Sequence, residues 1–444
     1  METVSPFGSS NRKIDPSRRP RTKPDGSPDD NDRVEIGPTP IAFEAWARAG
    51  LEAPNLEAMR QYRLDRLVSE LRKRDYAGLL CFDPLNIRYA TDSTNMQLWV
   101  THNPSRACFV SADGYVILWE FARCEHLAAH LPLIREVRYG AGFFYMLSGD
   151  RVEEHAGRFA AEIDDILRTH GGDNRRLAVD RMDPSGVIAL RALGIDIREG
   201  QAVTEQARSI KGPDDIKAMK CAVHSCEIAM AKMQLELRPG MTEDDLWSIL
   251  HAENIRHGGE WIETRILASG PRTNPWFQEC GPRIIQAGDM VAFDTDLIGV
   301  YGMCCDISRA WICGDVEPTA DQKHLYRSAY DQVMNNMQLV RPGMSFKQFT
   351  HSASLAAEEF RAQRYSVLAH GVGLCDEYPS IYYPEDYQSY GTDGYFEPGM
   401  AICVESYCGK VGGREGVKLE QQVLVTEDGF EDITSYPYEE KLLA

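Results

Sequence analysis

The sequence predicts an α+β protein of two domains: an α/β layer domain, then a pseudo-symmetric domain made of two related halves. Three observations carry that reading. At 444 residues the chain exceeds what one ordinary hydrophobic core holds. Helix-like and strand-like stretches alternate from about residue 55 to 205. Beyond that, "LRPGMTEDDLWSIL", starting at Leu237, recurs in weakened form as "VRPGMSFKQFTHSA", starting at Val340.

Residues 1–40 carry seven prolines and balanced charges, as in "SRRPRTKPDGSPDDNDR". Such a segment has little apolar surface to bury and reads as a flexible arm. Folded structure is expected from "PIAFEAWARAGL", opening an N-terminal domain over 41–205. Within it "MRQYRLDRLVSELRKRD" has helical periodicity, and "YAGLLCF", "GYVILWEF" and "RRLAVDR" read as short buried strands. Gly-Pro in "RSIKGPDD" breaks the chain before the long helix "DDIKAMKCAVHSCEIAMAKMQLEL", so the second domain is placed at 206–444. In the repeat, Arg-Pro-Gly forms a turn and Thr242 or Ser345 caps a following helix. "AGDMVAFDTD" is echoed by "PGMAICVES", each a glycine turn entering an apolar strand. Acidic residues at the ends of the two echoed strands are expected to face one another.

With 43% hydrophobic and 26% charged residues the chain reads as soluble and globular. A formal net charge of −19 disfavours nucleic acid and anionic membranes as partners, but not a small zwitterionic substrate. The twelve cysteines lack zinc-ribbon spacing and disulfide-scaffold density, and several sit in apolar runs, so buried reduced thiols are expected. No apolar h-region follows the N-terminus, and no apolar run is long enough to span a bilayer. A cytoplasmic location is the expectation.

The chemistry centres on "DTDLIGVYGMCCD", residues 294 to 306, which holds three aspartates and no lysine or arginine. Side chains two apart on a strand share a face, which would put Asp294 and Asp296 with Ala292 and Met290. Gly299 and Gly302 let the chain turn back, and Asp306 returns on a neighbouring strand. Three carboxylates beside an apolar wall are costly to bury unpaired. Either they face water as an acidic hairpin, or a metal holds them. Downstream, His370 precedes a glycine-spaced turn in "LAHGVGLCDEYP", Glu405 ends the strand "MAICVES", and Glu420 sits in "GVKLEQQVLVTEDG".

Those stretches, in that order, resemble the pita-bread metallopeptidase superfamily of methionine aminopeptidase, aminopeptidase P, prolidase and creatinase. The resemblance covers about residues 205 to 435, and the first domain looks like the creatinase/prolidase N-terminal domain. It implies a C-terminal pita-bread domain, two metal ions, and a ligand set of Asp306, His370, Glu405, Glu420 and one of Asp294 or Asp296. Asp294 lies twelve and Asp296 ten positions before Asp306, where the peptidases use eleven. The simplest reading is that both bind. Five carboxylates facing two divalent ions leave one excess negative charge, which should favour a more highly charged ion such as Fe³⁺ or blunt Lewis acidity. Oxygen-rich ligation suits iron or manganese, with zinc still possible.

A second departure concerns the peptidases' non-ligand histidines. In "HGVGLCDEYP" the pair Asp376-Glu377 replaces their His-Glu. In "SGPRTNPWFQECGP", Trp276 and Phe277 stand near the place of the other histidine. What remains suits holding a substrate carboxylate on the metals, removing its α-proton and expelling a leaving group. Asp376, if buried, is the expected base. Trp276, Phe277, Tyr365 and Trp99 are candidate aromatic faces for a cationic leaving group. These features resemble the bacterial dimethylsulfoniopropionate-lyase branch of the superfamily. That resemblance implies cleavage to acrylate and dimethyl sulfide, an iron-binding bimetal centre holding Asp294, Asp296, Asp306, His370, Glu405 and Glu420, and a homodimer. The rival expectations are an Xaa-Pro aminopeptidase or creatinase-like hydrolase, and a non-catalytic binding protein.

Overall fold

The computed structural model describes residues 37–444, so the arm expected over 1–40 lies almost wholly outside the described residues. The chain divides into two compact units, residues 55–208 and residues 37–54 with 209–444. Residues 41–54, expected in the N-terminal domain, group with the second unit. The reason is local: Trp46 of the helix Pro40–Ala49 is buried and donates its indole N–H to the Cys221 carbonyl at 3.0 Å.

The first unit is a six-stranded sheet with helices. Its strands are β1 (Gly78–Cys81), β2 (Ala107–Ser111), β3 (Val116–Trp119), β4 (Ile134–Arg138), β5 (Arg176–Val179) and β6 (Asp196–Glu199), in the order β4-β3-β2-β1-β5-β6. The pairs β1–β5 and β5–β6 are parallel, while β1–β2 and β2–β3 are antiparallel. Strands β1, β2 and β3 are buried throughout, which is why each reads as a continuous apolar run. The periodic helix is Leu56–Lys73, capped by the Asn55 side chain.

The second unit holds three sheets. In one, β7 (Trp261–Ile262), β10 (Leu297–Ile298) and β11 (Cys304–Cys305) run β11-β10-β7; in another, β8 (Leu267–Ser269), β9 (Met290–Asp294) and β12 (Ser308–Ile312) run β12-β9-β8. The third contains β13 (Ala369–Val372), β14 (Asp376–Ile381), β15 (Ala401–Gly409), β16 (Gly416–Val425) and β17 (Phe430–Asp432) in the order β14-β13-β15-β16-β17. The repeated turns do what their sequence implies. Thr242 and Ser345 each accept a hydrogen bond from the backbone N–H three residues on, at 3.0 and 3.1 Å, closing capping boxes on two helices. Strands β9, β12, β15 and β16 are buried along their whole length, and the helix Ala320–Met337 packs on β15 and β16. No disulfide joins the cysteines among the described residues, and no described helix is long and apolar enough to cross a membrane.

Arg309 on β12 is the strap of this unit. Its fully buried guanidinium donates to the Ser308, Glu420 and Tyr436 carbonyls at 2.9, 2.7 and 2.6 Å and lies 4.3 Å from the Tyr438 ring. It thus ties the backbone of β12 to that of β16 and to the C-terminal segment. Removing it strands several carbonyls without donors. Arg309→Ala is expected to lower unfolding free energy by about 3 kcal/mol in a denaturant titration. A loss under about 1 kcal/mol would contradict that role.

Candidate metal centre

Asp294 ends β9 directly opposite Ser308 of β12, and it shares a face with Met290 and Ala292 as the alternation requires. Asp296 reaches the site differently. The strand stops at Asp294, and Asp296 sits at φ 37, in the left-handed region that aspartate tolerates better than most residues. The expected two-residue alternation therefore does not place it; a tight left-handed turn does. Thr264 Oγ1 fixes its carboxylate by donating to Oδ2 at 2.6 Å.

The return to Asp306 also departs from expectation. Gly302 does turn the chain at φ 72, but Gly299 keeps ordinary negative φ and Tyr301 takes the other left-handed position, at φ 60. Trp46 covers that tyrosine, ring centroids 5.9 Å apart. Asp306 lies between β11 and β12 rather than within a strand, and its N–H donates to Gln422 Oε1 at 3.3 Å. The remaining candidate ligands come from the five-stranded sheet. His370 on β13 faces Cys403 of β15, and Glu405 of β15 faces Glu420 of β16. A register shift between His370 and Gly371 bulges β13 against β14, a device that re-aims side chains beside a site. A Cβ on Gly371 would come within 2.3 Å of the Tyr378 carbonyl, so that close approach needs glycine.

All six predicted ligands converge. His370 Nε2 lies 3.4 Å from Asp306 Oδ2, 3.6 Å from Glu405 Oε1 and 3.3 Å from Glu420 Oε1. Donor atoms of Asp294, Asp296 and Asp306 form one compact group; those of Asp306, His370, Cys403 and Glu420 form another, with Asp306 in both. Asp306 Oδ1, both Glu405 carboxylate oxygens and Glu420 Oε1 are buried with no well-formed hydrogen bond among the described residues. Native interiors rarely leave such atoms bare, and the donor set of five carboxylates and one imidazole fits hard divalent ions. Asp294, Asp296 and Asp306 would hold one ion, and Asp306, His370, Glu405 and Glu420 the other. The solvated-hairpin reading is set aside, because Asp294 and Asp306 are buried.

Burial and mutual repulsion distort the titration of these groups. Burial, then the neighbouring carboxylates, raises Asp306 far above the usual range; burial and Asp294 push Asp296 up to about 8. Burial also takes Glu405 up to about 8, against the pull of Lys418. At Glu420 burial opposes ionisation, but Lys418 and His370 outweigh it and hold the carboxyl low. His370 is disfavoured as a cation by burial, yet Asp376, Glu420 and Glu405 raise it well above an ordinary histidine.

Lys418 also joins the cluster, although the sequence motifs did not single it out. It is fully buried, and its ammonium lies 2.8 Å from Asp294 Oδ2, 2.8 Å from Glu405 Oε2 and 2.7 Å from Glu420 Oε2. Its signal was present: it stands two before Glu420 on a strand, hence on the same face. Ser308 bridges Asp294 and Glu420 at 2.6 and 3.0 Å. Cys403, two before Glu405, brings its thiol beside the same group and donates to the Asp306 carbonyl at 3.7 Å.

The candidates around the ligands divide. Asp376 is not buried as expected: its side chain is 58% exposed and stands 3.8 Å from His370 Nδ1. It opens β14, whose alternation turns the next residue, Glu377, inward onto Lys211 at 3.0 Å. Tyr365 is half-buried with its ring 4.4 Å from the Lys418 ammonium, and Phe277, at φ 69 and 58% exposed, stacks on it at 5.2 Å. Trp276, expected as a pocket face, is instead built into the core against Tyr407, ring centroids 5.7 Å apart. Trp99 belongs to the first unit, where it packs on Phe121 at 5.6 Å.

Asp306 serves both donor groups, so Asp306→Ala is expected to abolish metal retention, while Asp296→Ala removes about one ion per chain. Elemental analysis of the purified variants measures both. Full metal content in Asp306→Ala would contradict the shared arrangement.

A model of metallopeptidase family M24 matches residues 217–427. The chain is 52% identical over 440 residues to dimethylsulfoniopropionate lyase DddP of Roseovarius nubinhibens, covering 98% of each chain. It is 51% identical over 437 residues to the DddP of Roseobacter denitrificans, covering 97% of this chain and 98% of the relative. Among solved structures, an Xaa-Pro dipeptidase from Bacillus anthracis superposes with a TM-score of 0.68 at 21% identity, covering 86% of this chain and 99% of the dipeptidase. At that identity the superposition speaks for the fold, the pita-bread domain with its N-terminal companion. By full-length similarity the chain belongs to the DddP family, within the M24 metallopeptidases.

Proposed function

We propose that this chain is a metal-dependent carbon–sulfur lyase that cleaves dimethylsulfoniopropionate to acrylate and dimethyl sulfide. The single observation that carries the reading is 52% identity across 98% of the chain to a relative named for that activity. The site chemistry supports it. The substrate joins a carboxylate, an acidic α-carbon and a sulfonium leaving group. Bound metal would hold that carboxylate and stabilise the charge that develops on it as the α-proton leaves. Asp306, His370, Glu405 and Glu420, with Asp294 and Asp296, would hold the ions.

Asp376 removes the α-proton. Its side chain is 58% exposed, within reach of a small substrate, and stands 3.8 Å from His370 Nδ1 at the edge of the carboxylate cluster. As the α-proton leaves, the electrons of the C–H bond form the C–C double bond, and the C–S bond breaks to release neutral dimethyl sulfide. Phe277, stacked on Tyr365 and 58% exposed, offers its outer π face to the sulfonium, worth about 0.5 to 2 kcal/mol. The metal pair is iron, the assembly is a homodimer and the enzyme is cytoplasmic in this reading.

Headspace detection of dimethyl sulfide after incubation with dimethylsulfoniopropionate tests the activity, alongside an Xaa-Pro peptide assay. Dimethyl sulfide without free proline is expected; free proline without dimethyl sulfide would overturn the reading in favour of a hydrolase. Asp376→Ala is expected to cut dimethyl sulfide release at least ~100-fold while keeping its metal. Metal loss in that variant would make Asp376 a ligand rather than the base.

A further inference from the structure

Five carboxylates around two divalent ions leave one negative charge in excess, which is the argument that favoured a trivalent ion. The interior of the site alters that sum. The Lys418 ammonium is sealed from solvent and sits on Asp294, Glu405 and Glu420 at 2.7 to 2.8 Å, with Ser308 Oγ at 2.9 Å and the Tyr365 ring at 4.4 Å. It also divides the oxygens of the two glutamates. Its ammonium lies beside Oε2 of both, hydrogen-bonded at Glu420 and ion-paired at Glu405, while Oε1 of both turns toward His370 Nε2 at 3.3 to 3.6 Å. A carboxylate pinned by one oxygen presents the other in a fixed direction, which is how outer groups orient metal ligands.

We propose that Lys418 is a built-in counter-cation and positioning residue of the metal centre, balancing the fifth carboxylate so that two divalent ions give a neutral site. Lysine suits the place because its compact ammonium reaches three carboxylates at once, where a planar guanidinium would favour a two-oxygen fork. A buried cluster of this kind is stable only while its charges compensate. The extra aspartate and the lysine are thus complementary features, and the pull toward a trivalent ion disappears. The proposal rests on the metal-pair reading. Its tests use no lyase assay, so failure of the lyase reading would leave it standing.

The experiment compares thermal unfolding of the full chain after chelation and dialysis for the parent, Lys418→Arg, Lys418→Met and the double variant Lys418→Met/Glu405→Gln. Methionine keeps the length and removes the charge; arginine keeps the charge and changes the shape. Lys418→Met is expected to melt several degrees below the parent, Lys418→Arg close to it, and the double variant to recover most of the loss. Added Mn²⁺ is expected to raise the melting temperature of Lys418→Met more than that of the parent, because the ion then supplies missing positive charge. A metal-free Lys418→Met as stable as the parent would overturn the proposal. So would a double variant no better than the single, which would assign Lys418 to packing alone. If Lys418→Met does not fold, a folded double variant supports the proposal and an unfolded one overturns it.

Discussion

Repulsion among buried carboxylates is the constraint around which the second unit is organised. Asp294, Asp306, Glu405 and Glu420 are all buried, and they point at one another. Bringing such groups together costs free energy unless positive charge joins them. Everything that surrounds the cluster either delivers a carboxylate to it or compensates one. Strands β9, β15 and β16 deliver; Lys418 and His370 compensate in part; bare oxygens on Asp306, Glu405 and Glu420 mark where the compensation is incomplete. Bound cations would complete it.

The fold meets this constraint with rigid parts. Arg309 fastens β12 to the Glu420 carbonyl of β16, so the strands carrying the ligands cannot drift apart independently. Trp46 packs on Tyr301 and braces the turn between the two acidic strands from outside. A site on strands is held more precisely than one on loops. Its two exposed contributors, Asp376 at the start of β14 and Phe277 at positive φ, are those that would meet the substrate rather than the metal. Backbone strain at Phe277 is of the kind that gathers at ligand clamps.

Much of this was legible in the sequence where periodicity and turn chemistry determine the outcome. The apolar runs around Leu79, Ile117 and Ala178 became central strands, because strands buried on both faces need no polar alternation. Thr242 and Ser345 announced their helices through capping chemistry alone. Asp294, Glu405 and Glu420 followed from strand alternation and the family pattern. Three features were hidden for specific reasons. Asp296 is placed by a left-handed turn, which period-two reasoning does not contain. Trp276 and Phe277 are neighbours that part ways, one into the core and one outward, and only tertiary packing decides which. Lys418 was in view but was read as part of a strand and not as a charge, since a buried lysine is unusual until its partners are located.

The chemistry follows from the same inventory. In the proposed reaction Asp376, standing where the peptidase pattern has a histidine, would serve as the base that removal of an α-proton needs. That account depends on two cations sharing Asp306. Anomalous diffraction from crystals of the enzyme grown with its native metal tests it most directly. Two peaks are expected: one among Asp294, Asp296 and Asp306, the other among Asp306, His370, Glu405 and Glu420. A single ion bound away from Asp306, or carboxylates splayed apart with no ion between them, would contradict it.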